Sequence, residues 1–131
     1  MEILLNPDTR YLEQLQRMLY TEPDLGIVEL EYKFGANYFV AVEGDAPLGV
    51  ATVVQWFDGS VELYKLYVAP THRSKGIGMQ LVNRVISELA SHDVQEFVIE
   101  IAGDSAKFWT QVAKDRKIQD YGEGRYGIFI S

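Results

Sequence analysis

The residues best suited to chemistry lie in one stretch, Val68-Ala69-Pro70-Thr71-His72-Arg73-Ser74-Lys75-Gly76-Ile77-Gly78. Two glycines stand where a strand-like run gives way to a helical one. Glycine takes positive φ without strain and lets backbone approach a ligand closely. A helix start adds unpaired N–H groups and the positive end of the helix dipole, a combination that attracts phosphate. Arg73 and Lys75 bring positive charge into a chain whose 12 basic residues face 19 acidic ones, a net charge of −7. A pyrophosphate is the natural guest of such a loop. The P-loop pattern is absent, and Leu81 occupies the place of the third glycine of a dinucleotide fingerprint.

A loop of this kind needs a strand before it and a helix after it. Val61 to Val68 reads as the strand. Leu81, Val82, Val85, Ile86 and Leu89 share one face of the helix. Gln95 to Ile101 reads as a buried strand, so 61–101 forms a strand–helix–strand crossover with parallel strands. Upstream, Tyr38 to Val42 and Leu48 to Phe57 are strand candidates rich in Val, Thr and aromatic residues. Gly44-Asp45-Ala46-Pro47 reads as the turn between them, and Asp58-Gly59 signals a hairpin into Val61. Glu2 to Leu5 is a short strand. Asn6-Pro7 is expected to cap a helix whose apolar stripe is Leu12, Leu15 and Leu19, stopped by Glu22-Pro23-Asp24. Leu25 to Phe34 fits either a short helix or an irregular loop. Gly103-Asp104-Ser105 is expected to cap a helix running from Ala106 to about Ala113. Strands around Ile118 to Tyr121 and Tyr126 to Ile130 flank a Gly122-Glu123-Gly124 turn. The expectation is an α/β fold on a mixed sheet, antiparallel first and parallel in the middle.

With 131 residues the chain is expected to form a single domain over 1–131. Hydrophobic residues at 47% and charged ones at 24% match a globular chain rather than a disordered one. The longest apolar run, Leu48 to Val54, is far short of the ~20 residues of a membrane helix. The first residues show no signal-peptide pattern. The absence of cysteine excludes disulfides, thiolate metal sites and a cysteine nucleophile. His72 and His92 fall on separate elements, and no metal site is expected. The negative charge opposes nucleic-acid binding and suits an amine or cationic substrate, although solubility alone also accounts for it. The chain reads as cytoplasmic, with no nucleic-acid or membrane partner. Monomer and homodimer both fit.

Arg73, Gly76 and Gly78 occupy the fixed positions of an Arg-x-x-Gly-x-Gly motif, and here the chain resembles the GNAT superfamily of acyl-CoA-dependent N-acetyltransferases. Leu66-Tyr67-Val68 before Pro70 is similar to that family's fourth strand, and Met79 to Leu89 to its third helix. Ser105-Ala106-Lys107-Phe108-Trp109 is similar to its short helix with an Ala-x-Phe-Tyr core. The resemblance covers residues 38–130 in detail and the rest in element order. It implies a GNAT-like mixed sheet whose fourth and fifth strands splay apart, with helices on both faces and acetyl-CoA as acyl donor in the gap. Backbone of Leu66 and Val68 would pair with the pantetheine arm. Backbone N–H groups of Arg73, Ser74, Lys75, Gly76, Ile77, Gly78 and Met79 would hold the pyrophosphate. Phe108 and Trp109 would wall the channel. The implied reaction is attack of a neutral amine of a small molecule or protein on the thioester, with the Val68 N–H as oxyanion donor. The alternative is a CoA-binding regulatory module that binds a partner protein without turnover.

Several residues near this site depart from the family or stand as candidates beside it. Trp109 occupies the place of a tyrosine that protonates the leaving thiolate in many members, and an indole cannot act as that acid. Tyr121 and Tyr126 are candidates for the role, and for plain packing. Lys114-Asp115-Arg116-Lys117-Ile118 replaces the usual Gly-Phe. Glu62 lies six residues before Val68, where the histone-acetylating branch carries its general base, and strict alternation would put it on the face of Tyr64, Leu66 and Val68. It reads otherwise as a solvated glutamate at the strand start. Glu29 and Glu31 could line the acceptor entrance or be surface charge. His72 reads as a surface or phosphate-side residue. Tyr32, Tyr38, Trp56 and Phe57 either pack the core or wall an acceptor pocket.

Overall fold

The structure is a computed structural model, and it describes residues 1–130. In chain order the elements are β1 (Glu2–Leu5), α1 (Thr9–Leu19), β2 (Asn37–Glu43), β3 (Ala46–Gln55), β4 (Val61–Val68), α2 (Ile77–Ser91), β5 (Glu96–Glu100), α3 (Ala106–Val112), β6 (Ile118–Gly122) and β7 (Arg125–Phe129). The seven strands form one sheet in the order β1-β2-β3-β4-β5-β7-β6. All neighbours are antiparallel except β4 and β5. The expected crossover through α2 is thus present.

Each face of the sheet buries its own core. Leu81, Val82 and Val85 of α2 pack with Phe39, Leu63, Phe97 and Ile99 on one face, joined by Trp109 and Val112 of α3. Tyr11, Leu15 and Leu19 of α1 pack with Val40, Val50 and Tyr67 on the other. A fully buried leucine contributes roughly 1.5–3 kcal/mol, so these two stripes carry much of the folding free energy. Among the described residues no helix is long and apolar enough to cross a membrane.

Local chemistry moved several boundaries. Asp8, not Asn6, caps α1: its carboxylate accepts the Arg10 N–H at 2.9 Å. Asn6 instead takes φ +51° and ties β1 to β2, its side chain accepting the Tyr38 N–H at 2.8 Å. The β2–β3 turn is only Gly44-Asp45, because Glu43 already pairs with Ala46. Pro47 sits inside β3 beside a bulge, one of the few strand positions open to proline. β3 stops at Gln55, and Phe57 stands fully exposed at the hairpin tip. The ambiguous segment is irregular after a 3₁₀ turn at Pro23–Leu25. It has no helix but is anchored: the Gln16 side chain bonds Val28 and Leu30, and the buried Thr52 hydroxyl donates to the Leu30 carbonyl at 2.8 Å.

A second bulge decides the geometry of the site. Thr52 pairs with Lys65, but Val53 pairs with Leu63, so Tyr64 is the extra residue of β4. Strict alternation therefore fails across it. Leu63, Leu66 and Val68 face α2, while Glu62, Lys65 and Tyr67 face α1. The expected shared parity of Glu62 with Leu66 and Val68 is wrong for this reason. A bulge also bends and twists its strand. β4 meets β5 only at Glu62–Val98, and beyond that pair the two strands part.

Candidate active site

The parting of β4 and β5 leaves an edge inside the sheet. The Ala69 N–H donates to Leu48 of β3 at 2.8 Å. Successive amides of a strand alternate sides, so those of Val68 and Leu66 point toward β5, where no ladder pairs them. These two residues thus present unpaired backbone N–H groups along the opening, and an extended ligand could pair with them.

At the end of the opening stands the loop rich in glycine. Arg73, Ser74, Lys75 and Gly76 are exposed. Ser74 (φ +64°) and Gly76 (φ +80°) both take the left-handed conformation. Such alternation turns successive N–H groups into a concave anion seat. α2 begins at Ile77, and its first ladder bond is from Gln80 to the Gly76 carbonyl at 3.1 Å. The amides of Ile77, Gly78 and Met79 therefore lie ahead of the ladder. A Cβ built on Gly76 would meet nothing within 4 Å, so the loop faces open space. Gly78 serves packing instead: a Cβ there would stand 3.2 Å from Phe108 and 3.8 Å from Val68. The structure thus brings Val68, the start of α2 and Phe108 together. These residues fit the pyrophosphate and pantetheine of a CoA thioester.

The Arg73 guanidinium does not add free charge to this seat. It forms a bidentate pair with Glu22, Nη1–Oε1 at 2.7 Å and Nη2–Oε2 at 2.9 Å, and its Nε donates to the Val68 carbonyl at 2.9 Å. The Tyr67 hydroxyl donates to the same Glu22 carboxylate at 2.6 Å. Arg73 holds the Glu22 carboxyl below the usual carboxylate range. Burial, then the Glu22 bond, push the Tyr67 phenol well above its ordinary value.

Glu62 is not solvated. Only 4% of it is exposed, where the β4–β5 gap closes. The Trp56 indole N–H donates to it at 2.9 Å, and Arg125 Nη2 lies 3.2 Å away. Arg125 also approaches Glu100 at 3.5 Å. Around Glu62, on the α1 face, Tyr32 packs edge-on against Phe34, Trp56 and Tyr64, with ring centroids 5.3–5.6 Å apart. A nearly buried carboxylate beside aromatic rings suits an amine.

The other candidates separate. Trp109 is buried beside the edge-on ring of Phe108, in the α2-side core. Tyr126 packs against that same core. Tyr121 lies exposed, its phenol donating to Glu96 at 2.6 Å, which raises its pKa. Tyr38 is half-buried, its hydroxyl accepting the Tyr32 N–H at 3.1 Å. Glu29 and Glu31 are exposed on the rim of a groove of about 440 Å³ beside α1, floored by Leu12, Tyr38 and Val40. His72 lies half-buried in a 3₁₀ turn, and His92 pairs with Glu88 at the far end of α2. Among the described residues no three potential ligands gather around a metal site. Sequence reading passed over Glu22 and Arg125. Glu22 lies 51 residues from Arg73, and its only local signal is a helix stop. Arg125 reaches Glu62 across 63 residues and carried no signal at all.

No match is found among curated protein sequences. Solved structures share the fold at low identity. The chain is similar to Tetrahymena GCN5 (15% identity, TM-score 0.77, covering 100% of this chain and 97% of that one). It is similar to the diaminobutyrate acetyltransferase EctA of Paenibacillus lautus, solved with L-2,4-diaminobutyric acid and coenzyme A (13%, TM-score 0.71, 98% and 94%). It is also similar to the PaiA N-acetyltransferase of Thermoplasma acidophilum, solved with coenzyme A (16%, TM-score 0.68, 98% of each). The sequence pattern of the acetyltransferase (GNAT) family matches residues 4–111. With the splayed β4–β5 pair and the glycine loop at the head of α2, that match makes the chain a member of the GNAT acetyltransferase family, whose acyl donor is acetyl-CoA.

Proposed function

We propose that this chain is an N-acetyltransferase that carries the acetyl group of acetyl-CoA to an amine. One observation carries the reading. β4–β5 pairing ends at Glu62–Val98, so a free strand edge, an anion seat and a nearly buried carboxylate border one opening. A gap in a sheet opens to both faces, which lets cofactor and acceptor meet from opposite sides. Backbone of Leu66 and Val68 holds the pantetheine arm, and the amides of Ser74 to Met79, with Lys75, hold the pyrophosphate. Phe108 walls the channel, and Trp109 braces Phe108 from the core. The acceptor enters on the α1 face, between Tyr32, Phe34, Trp56 and Tyr64. Glu62 accepts the amine proton, directly or through a water. The Val68 N–H stabilises the oxyanion as the amine nitrogen bonds the acetyl carbon. The carbon–sulfur bond then breaks, and the thiolate takes a proton from solvent or from Tyr126.

The test pairs calorimetric acetyl-CoA affinity with thiol release over a broad amine panel. Gly76→Val would force a β-branched side chain into a left-handed position and project it into the seat. It should weaken binding more than tenfold, about 1.4 kcal/mol. Unchanged affinity in a folded variant refutes the cofactor site. Tight binding without thiol release for any amine refutes the enzyme and leaves a regulatory CoA-binding module.

A further inference from the structure

We infer that Glu22 is a positioning residue for the phosphate loop, and that it holds Arg73 as a strut of that loop rather than as a ligand of the pyrophosphate. The inference rests on the placement of CoA proposed above. Arginine has five N–H donors in a rigid fork. Here Nε, Nη1 and Nη2 are each engaged, one with the Val68 carbonyl and two with the Glu22 carboxylate. The guanidinium also stacks over the Tyr67 ring, 5.6 Å from its centroid. Glu22 is equally committed, since its Oε2 also accepts from Tyr67.

Two consequences follow from this geometry. First, a carboxylate beside the loop cancels the Arg73 charge. The attraction for a pyrophosphate then falls to Lys75 and the backbone amides. Second, the strut joins three pieces: the end of β4, the loop leading to α2, and the segment after α1; the Tyr67–Glu22 bond supports two of them, and Arg73 adds the loop. The segment after α1 carries Tyr32 and Phe34, the aromatic wall on the acceptor side. The strut therefore sets the loop's place relative to both halves of the site. A lysine at 73 could supply charge but could not span Val68 and both Glu22 oxygens at once.

The direction of one change separates strut from ligand. If Arg73 is a withheld phosphate ligand, Glu22→Gln frees its charge and tightens CoA binding. If it is a strut, Glu22→Gln loosens the loop and weakens binding, by about tenfold for a coupled pair of this kind. Calorimetric CoA affinity is to be measured for Glu22→Gln, Arg73→Gln, Arg73→Lys and the Glu22→Gln/Arg73→Gln double variant, with pantetheine as a ligand lacking the pyrophosphate. Each single variant, Arg73→Lys included, is expected to weaken CoA about equally and pantetheine hardly at all. The double variant should be no weaker than either single one, and Arg73→Gln should keep the wild-type salt dependence. Tighter or unchanged binding in Glu22→Gln, or rescue by Arg73→Lys, overturns the inference. Gly76→Val separates this failure from the other: if it also leaves CoA affinity unchanged, the cofactor placement itself is wrong.

Discussion

Replacing Glu62 by glutamine tests the chemistry most directly, because the structure separates its catalytic effect from its structural one. The glutamine keeps the volume and keeps one oxygen to accept the Trp56 N–H. It loses the ion pair with Arg125, which retains Glu100 at 3.5 Å and is itself partly exposed. Because Glu62 is nearly buried, losing this charge-assisted bond costs about 1.5–3 kcal/mol. A positioned base contributes about 10²–10⁴-fold to the rate, equivalent to about 2.7–5.4 kcal/mol in the transition state. The two effects are told apart by their readouts, the kinetic one in kcat and the structural one in the unfolding midpoint. We expect kcat at neutral pH to fall by about 10²–10⁴-fold, with acetyl-CoA affinity nearly unchanged and the unfolding midpoint lowered only modestly. An aliphatic amine with a pKa of about 10.4 is almost wholly protonated at neutral pH, and its neutral fraction rises tenfold per pH unit. The deficit of Glu62→Gln should accordingly shrink as the pH is raised. Thiol-release kinetics from pH 6 to 10 check this. A Glu62→Gln enzyme with wild-type kcat and pH profile would show that the proton goes elsewhere, and that Glu62 is only the hydrogen-bond partner of Trp56 and Arg125.

Two further predictions bear on the walls of the site. Trp109→Ala should destabilise by about 3–5 kcal/mol through the cavity it opens under Phe108, whereas Trp109→Phe should keep most activity because the indole is no acid; urea denaturation beside kcat distinguishes the two, and a hundredfold loss of kcat in Trp109→Phe with intact CoA affinity would contradict the packing role. The Glu22 carboxyl is held below its ordinary value of about 4.5 by Arg73, so its ion pair stabilises the fold above that pH and is lost as the pH falls through the lowered value; Glu22→Gln should therefore reduce stability at neutral pH and flatten the acid limb of the stability profile, and an unchanged acid limb would show that the pair contributes nothing to folding.

What could be read in the chain without the structure was whatever repeats locally or is spelled in contiguous residues. The stripe of Leu81, Val82, Val85, Ile86 and Leu89 has the period of a helix, and α2 formed there. Asp58-Gly59 favours a tight turn, and the Arg73–Gly78 motif lies within a few residues, so hairpin and loop were both legible. A helical crossover between strands forced β4 and β5 to be parallel. Tertiary structure alone decided what depends on partners distant in sequence. The insertion of β7 between β5 and β6 leaves no mark in either strand. The extra residue at Tyr64 appears only when β4 is laid against β3, and it moves Glu62 to the face opposite Leu66 and Val68. The charge of Arg73 looked free because its partner, Glu22, is 51 residues away. Periodicity and turn chemistry act through neighbours along the chain, whereas register, bulges and ion pairs are set by which surfaces the packed core brings together.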